Sequence, residues 1–203
     1  MEIGEEHDRW NDLLSSWAVN EKLADRHFNE ICACYSGPDR YYHTLDHVLA
    51  VLDTVESLAS HARNLNAVKL AAWLHDVIYD SKASDNEDRS AEYAERLCQE
   101  LSIPEGQRVA ALIRATKTHE ADDVDAQVLL DADLAILGAS QSEYQGYAAK
   151  IRQEYAWVPE AEYRKGRRQV LERFLTRPKI FHLLDHLEEP ACRNLAAEVG
   201  RLV

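Results

Sequence analysis

The sequence predicts an all-α protein, on three observations. Apolar residues recur at helical spacing along most of the chain. Helix start and stop signals punctuate that pattern. Alternating β-branched runs closed by hairpin turns, which would indicate sheet, do not occur.

Taken in order, Trp10, Leu13, Leu14 and Trp17 follow an i, i+3, i+4, i+7 pattern, as do Val48, Val51, Leu52 and Val55. The stretch from Asn66 to Tyr79 is apolar nearly all round, which predicts the central helix. Ser84-Asp85-Asn86-Glu87 has the form of a capping box, opening a helix through Leu101. "SIPEG" stops that helix, and Pro104 opens another to about Thr116. Further helices are expected near 124–137, 140–157, 160–176 and 188–202.

The chain has 203 residues with only 7 Gly and 5 Pro, and no Ser/Gly/Pro-rich linker, so one domain spanning 1–203 is expected. Its 36 acidic and 23 basic residues give a net charge of −13, which argues against a nucleic-acid polymer or an anionic membrane as partner. A small phosphorylated ligand stays open, because a bound cation reverses the local field. Residues 1–30 show no basic stretch followed by an apolar one, and no apolar run approaches the ~20 residues of a membrane span. Cys32, Cys34, Cys98 and Cys192 contain no CxxC pair and read as reduced thiols of a cytoplasmic protein. The oligomeric state is not legible.

The chemistry starts from a paradox. "AAWLHDVIYD" sets His75 and Asp76 near the end of the most apolar helix, where an isolated carboxylate costs several kcal/mol. Asp76 therefore needs a partner. Among the nine histidines, His7, His27 and His61 stand in charged surroundings and read as surface residues. "YYHTLDHV" places His43 and His47 at i and i+4, a spacing that puts two imidazoles on one helical face. "LLDADLAILG" adds Asp131 and Asp133, about 200° apart on a helix, so that one faces inward while the other caps, solvates or supports it. Two imidazoles and two carboxylates around one divalent cation would compensate Asp76.

A histidine, then a His-Asp doublet, then a distant aspartate, all on helices, resembles the HD superfamily of metal-dependent phosphohydrolases. The resemblance implies His47, His75, Asp76 and Asp133 as metal ligands, with Asp131 supporting them or replacing Asp133. The stretch from Tyr42 to His47 is similar to that of cyclic-nucleotide phosphodiesterases in the same superfamily, with Thr44 where those enzymes carry Asn. That similarity implies His43 as general acid and His47 as ligand. The segments Tyr41–His47, His75–Asp80, Asp85–Ser90, Ala115–His119, Asp131–Gly138 and Gly166–Leu175 resemble, in order, a bacterial branch of predicted HD-superfamily phosphohydrolases. They span most of residues 40–175.

Other roles are shared with plainer ones. Asp80, one turn beyond Asp76 on a continuous helix, orients or deprotonates the attacking water, or is a solvated helix-end carboxylate. Lys82 sits where related branches place a phosphate-binding lysine, and Lys117 and His119 approach the same pocket or are solvated side chains. Mixed N/O ligation suits Mn, Fe, Co, Ni or Zn better than Mg.

Three rivals remain. "HTLDH" is one methylene short of an inverted zinc-peptidase motif, but "HLLDH" at His182–His186 repeats the spacing and neither explains His75-Asp76. An HD-type di-iron oxygenase needs further histidines between the doublet and the last aspartate, where only His119 lies. A non-catalytic metal-binding sensor or interaction module would keep the ligands without turnover. The expectation is a hydrolase of a small phosphate ester or anhydride, nucleotide-like, using metal-activated water.

Overall fold

In the computed structural model, which describes residues 4–202, ten α-helices and two short 3₁₀ turns follow one another, and the described residues contain no strand. The helices are α1 (Gly4–Ser15), α2 (Glu21–Tyr35), α3 (Leu45–Ser57), α4 (Leu65–Leu74), α5 (Asn86–Glu100), α6 (Gly106–Ala115), α7 (Val124–Leu134), α8 (Gln141–Glu154), α9 (Glu160–Leu175) and α10 (Asp185–Arg201). None is long and apolar enough to cross a membrane. The chain divides into two compact units, Met1–Ala132 and Asp133–Val203, with the division inside α7 rather than at a linker.

The first unit is organised around α4, as its all-round apolar sequence predicts. Ala67, Val68, Leu70, Ala71, Ala72 and Leu74 are all fully buried, and α4 packs against α1, α3, α5 and α6. Trp73 is the hub on one side: Trp10 of α1 meets it edge-on at 5.4 Å and Phe28 of α2 at 6.2 Å. The Trp10 indole N–H donates to the Ala24 carbonyl at 2.9 Å, which satisfies the polar atom this ring carries inward. Asp125, at the start of α7, accepts from the backbone N–H groups of Arg63 and Asn64 and from Arg108. These bonds tie the start of α7 to the start of α4.

Several sequence expectations need correcting. The helix predicted over 66–79 ends at Leu74, so the His-Asp doublet follows α4 instead of riding on it. Helix α3 begins only at Leu45, after Thr44 in extended conformation (φ −110°, ψ 178°), so His43 and His47 do not share a helix. Ser84 does not open α5: Asp85 is the cap residue, and no side chain caps the first turn. His27 is buried at 3% exposure, with Nδ1 3.0 Å from the Glu30 carboxylate and Nε2 accepting from Arg26. A capping box does form elsewhere, where Ser140 and Glu143 satisfy each other's backbone N–H groups at the start of α8.

Within the second unit, α10 packs against α9 and against the 3₁₀ turn Ala135–Gly138. A Cβ on Gly138 would stand 2.6 Å from the Leu187 Cβ, so only glycine allows that approach. Asn194 then bridges the carbonyls of Leu137 and Ala139, at 2.9 Å each. Arg167 of α9 grips Glu198 of α10 through two parallel bonds of 2.8 and 3.1 Å, while Tyr144 of α8 donates to the same carboxylate.

Candidate metal centre

The end of α4 is where the first unit concentrates its polar groups. A helix terminus leaves carbonyls without intrahelical partners, and here side chains and a turn take them up in sequence. The Ala72 carbonyl faces His75 Nδ1 at 2.9 Å, Trp73 accepts from the Tyr35 hydroxyl at 2.9 Å, and Leu74 accepts from the Val77 N–H at 3.2 Å. Asp76 and Val77 both accept from Arg40, and Ile78 both donates to and accepts from the buried Ser90 hydroxyl. The site is built by the act of ending the helix.

That capping settles the His75 ring. A carbonyl can only accept, so Nδ1 carries a proton, and Nε2 is the ring nitrogen left to act as a ligand. His75 Nε2 points at His47 Nε2, 3.2 Å away, and at Asp76 Oδ2, also 3.2 Å away. His47 Nε2 to Asp76 Oδ2 is 3.7 Å. Ligand bonds of 2.0–2.2 Å put adjacent donors about 3–3.5 Å apart around one cation, so two of the three separations have the spacing of a ligand set and the third is slightly wider. His47 and His75 are buried, with side chains 3% and 1% exposed, and Asp76 is 17% exposed.

Asp133 joins them. It rides on the last turn of α7, and one carboxylate oxygen lies within 4.8 Å of a ring nitrogen of both His47 and His75. Asp131, two residues earlier on α7, is fully buried. The resident donors are two imidazoles and carboxylates, a mixed set that fits a divalent transition metal better than a hard-cation site.

His43 reaches the same place by a different backbone route from the one expected. Its ring stacks on Tyr79 at 4.2 Å, and Nε2 stands 4.0 Å from Asp76 Oδ2. Its ring lies 5.8 Å from that of His47 and nearly perpendicular to it. At 20% exposure, it is the most accessible of the three imidazoles.

The remaining sequence candidates sit further out. Because α4 stops at Leu74, Asp80 is not one helical turn beyond Asp76 but exposed in the turn before α5. Its carboxylate accepts from the Lys82 N–H at 2.9 Å, and its backbone is held at both polar atoms by the Asn86 side chain. Lys82 is exposed in that turn. The Lys117 ammonium is bonded to Asp88 at 2.7 Å on the surface, an exposed, solvent-screened pair that a ligand could displace. His119 is half-buried just beyond α6 with φ 53°, a left-handed conformation.

Sequence reasoning missed Arg40, Tyr35 and Tyr79, which hold the segment together without resembling ligands. It also missed the roles of Asn86 and Ser90, whose side chains pin residues 78–80. Compared with known proteins, the chain matches no family model, no curated protein and no solved structure.

Proposed function

We propose that the protein is a metal-dependent hydrolase of a small phosphate ester or anhydride, nucleotide-like, of the HD type. The observation that carries the reading is the convergence of His47, His75 and Asp76 at mutual distances of 3.2–3.7 Å, with His43 4.0 Å from the same carboxylate oxygen. The motif order along the chain supports it independently. The four cysteines are free thiols, which fits a reducing, cytoplasmic setting.

His47, His75, Asp76 and Asp133 would hold the ion. A divalent cation supplies Lewis acidity toward a phosphoryl group and acidifies water at neutral pH. The chain's own contribution is to fix geometry and protons. His75 is held in the right tautomer by the Ala72 carbonyl, and His43, accessible and braced on Tyr79, holds a proton for the leaving oxygen. Lys82, Lys117 and His119 are the cationic or polar groups assigned to the substrate phosphate.

The test is reconstitution with Mn, Fe, Co, Ni, Zn or Mg and turnover of nucleotides and phosphorylated metabolites. His47→Ala should lose stoichiometric metal. His43→Ala should keep it and lose about 10²–10⁴-fold in turnover. That loss should shrink with aryl phosphates, whose leaving groups need little protonation. Loss of metal from His43→Ala would make His43 a ligand and overturn its assignment as acid. Stoichiometric metal without turnover of any phosphorylated compound would favour a metal-binding sensor.

A further inference from the structure

We propose that Arg40 is the positioning residue of this site, the group that sets His43 against Asp76. Its Nη1 donates to the carbonyls of His43 at 2.9 Å and Asp76 at 2.8 Å, and its Nη2 donates to the Val77 carbonyl at 2.9 Å. One guanidinium thus joins two segments that no helix holds: residues 41–44 before α3 and residues 75–80 after α4. Each segment carries one half of the proposed chemistry, the acid on the first and a ligand on the second.

The same cation also fixes the ring on which His43 rests. Arg40 lies over Tyr35 at 4.9 Å and over Tyr79 at 5.4 Å from the ring centres, while Tyr79 stacks on His43 at 4.2 Å. Tyr35 in turn donates to the Trp73 carbonyl on the last turn of α4. Arg40 therefore controls the His43 backbone, the Asp76 backbone and, through Tyr79, the His43 ring. These three side-chain bonds all go to backbone carbonyls, so it acts on the reaction through other residues.

Only arginine suits this place. Three carbonyls served by two adjacent nitrogens suit the rigid fork of a guanidinium, and its weakly hydrated cation sits within reach of two phenol rings. A lysine keeps the charge but presents a compact ammonium that cannot span both segments in that geometry. The consequence for turnover rests on the hydrolase reading; the consequences for metal affinity and ring stacking do not.

The experiment uses the full chain with Arg40→Lys and Arg40→Ala, the lysine variant serving if alanine impairs folding. Without metal or substrate, the His43 ring protons should show the ring-current shift of stacking on Tyr79, and Arg40→Lys should lose it. Affinity for Mn²⁺ or Zn²⁺ should fall about 10–100-fold, as for other residues that orient ligands. In turnover, Arg40→Lys should cost more with alkyl than with aryl phosphates, and little in a His43→Ala background, where no acid remains to be placed. A merely structural arginine would lower the melting temperature and leave leaving-group dependence and the His43 coupling unchanged. An unaltered His43 ring shift together with wild-type metal affinity in Arg40→Lys overturns the proposal. If the wild-type chain hydrolyses nothing, the hydrolase reading fails, while the ring shift and metal affinity still decide the role of Arg40.

Discussion

Both units bury polar clusters, and the two clusters are built in different ways. In the second unit, the Glu198 carboxylate meets a guanidinium in a two-bond fork and a phenol hydroxyl, so donors and acceptors match within the protein. In the first unit, His75 Nε2, His47 Nε2 and Asp76 Oδ2 stand 3.2–3.7 Å apart, three atoms that can each serve as a metal ligand. Buried charge by itself does not mark a candidate site; the chemistry and spacing of the clustered atoms do.

The strongest way to break the contrast is to remove one member of the matched cluster. Arg167 and Glu198 are each only 8% exposed at the side chain, so Arg167→Ala leaves a buried carboxylate without its main partner. The expected loss is about 3–5 kcal/mol by urea denaturation, independent of added metal. A loss below about 0.5 kcal/mol, the usual range of a neutral surface change, would remove Glu198 from the structural class.

Metal should act on the other cluster alone. At about 100-fold excess over its dissociation constant, a divalent ion should stabilise the wild-type chain by about 2.7 kcal/mol. Asp76→Ala should abolish that increment, and Glu198→Gln should retain it. An undiminished increment in Asp76→Ala would separate Asp76 from the ligand set.

Acid titration sharpens the difference further. Burial pushes the Glu198 carboxyl upward, but the Arg167 bonds outweigh it and hold the group below the usual carboxylate range. A depressed carboxylate stabilises the fold above its unfolded pKa of about 4.3, and that contribution is lost as pH falls through the lower folded value. The stability gap between wild type and Glu198→Gln should therefore be full near neutral pH and close under acid. A gap that widens on acidification would reverse the sign and refute the pairing.

The smallest effects concern helix starts. Ser140→Ala should cost about 1 kcal/mol, because its hydroxyl accepts from the Glu143 N–H in a formed box. Ser84→Ala should leave the melting temperature nearly unchanged, since no side chain caps the start of α5. Equal costs at the two serines would mean that Ser84 caps α5 in solution.

Helical periodicity, being a local property, was enough to establish an all-α chain and to pick out Val48, Val51, Leu52 and Val55 as one buried face. The all-round apolar character of residues 66–79 likewise pointed to the central helix, which forms over Leu65–Leu74. The boundaries were less legible, because a helix ends where competing partners take its carbonyls. Those partners, Tyr35, Arg40 and Ser90, lie far from α4 in sequence or leave no pattern of their own. The same reason explains the site. Sequence spacing nominated His43, His47, His75 and Asp76 and left Asp131 and Asp133 both open, the resemblance alone preferring Asp133, but spacing on an assumed helix mispredicted how His43 and Asp80 are carried. Only tertiary structure decided that His43 reaches Asp76 from a bend before α3 braced by Tyr79, because hydrogen bonds between distant segments are set by packing and not by periodicity.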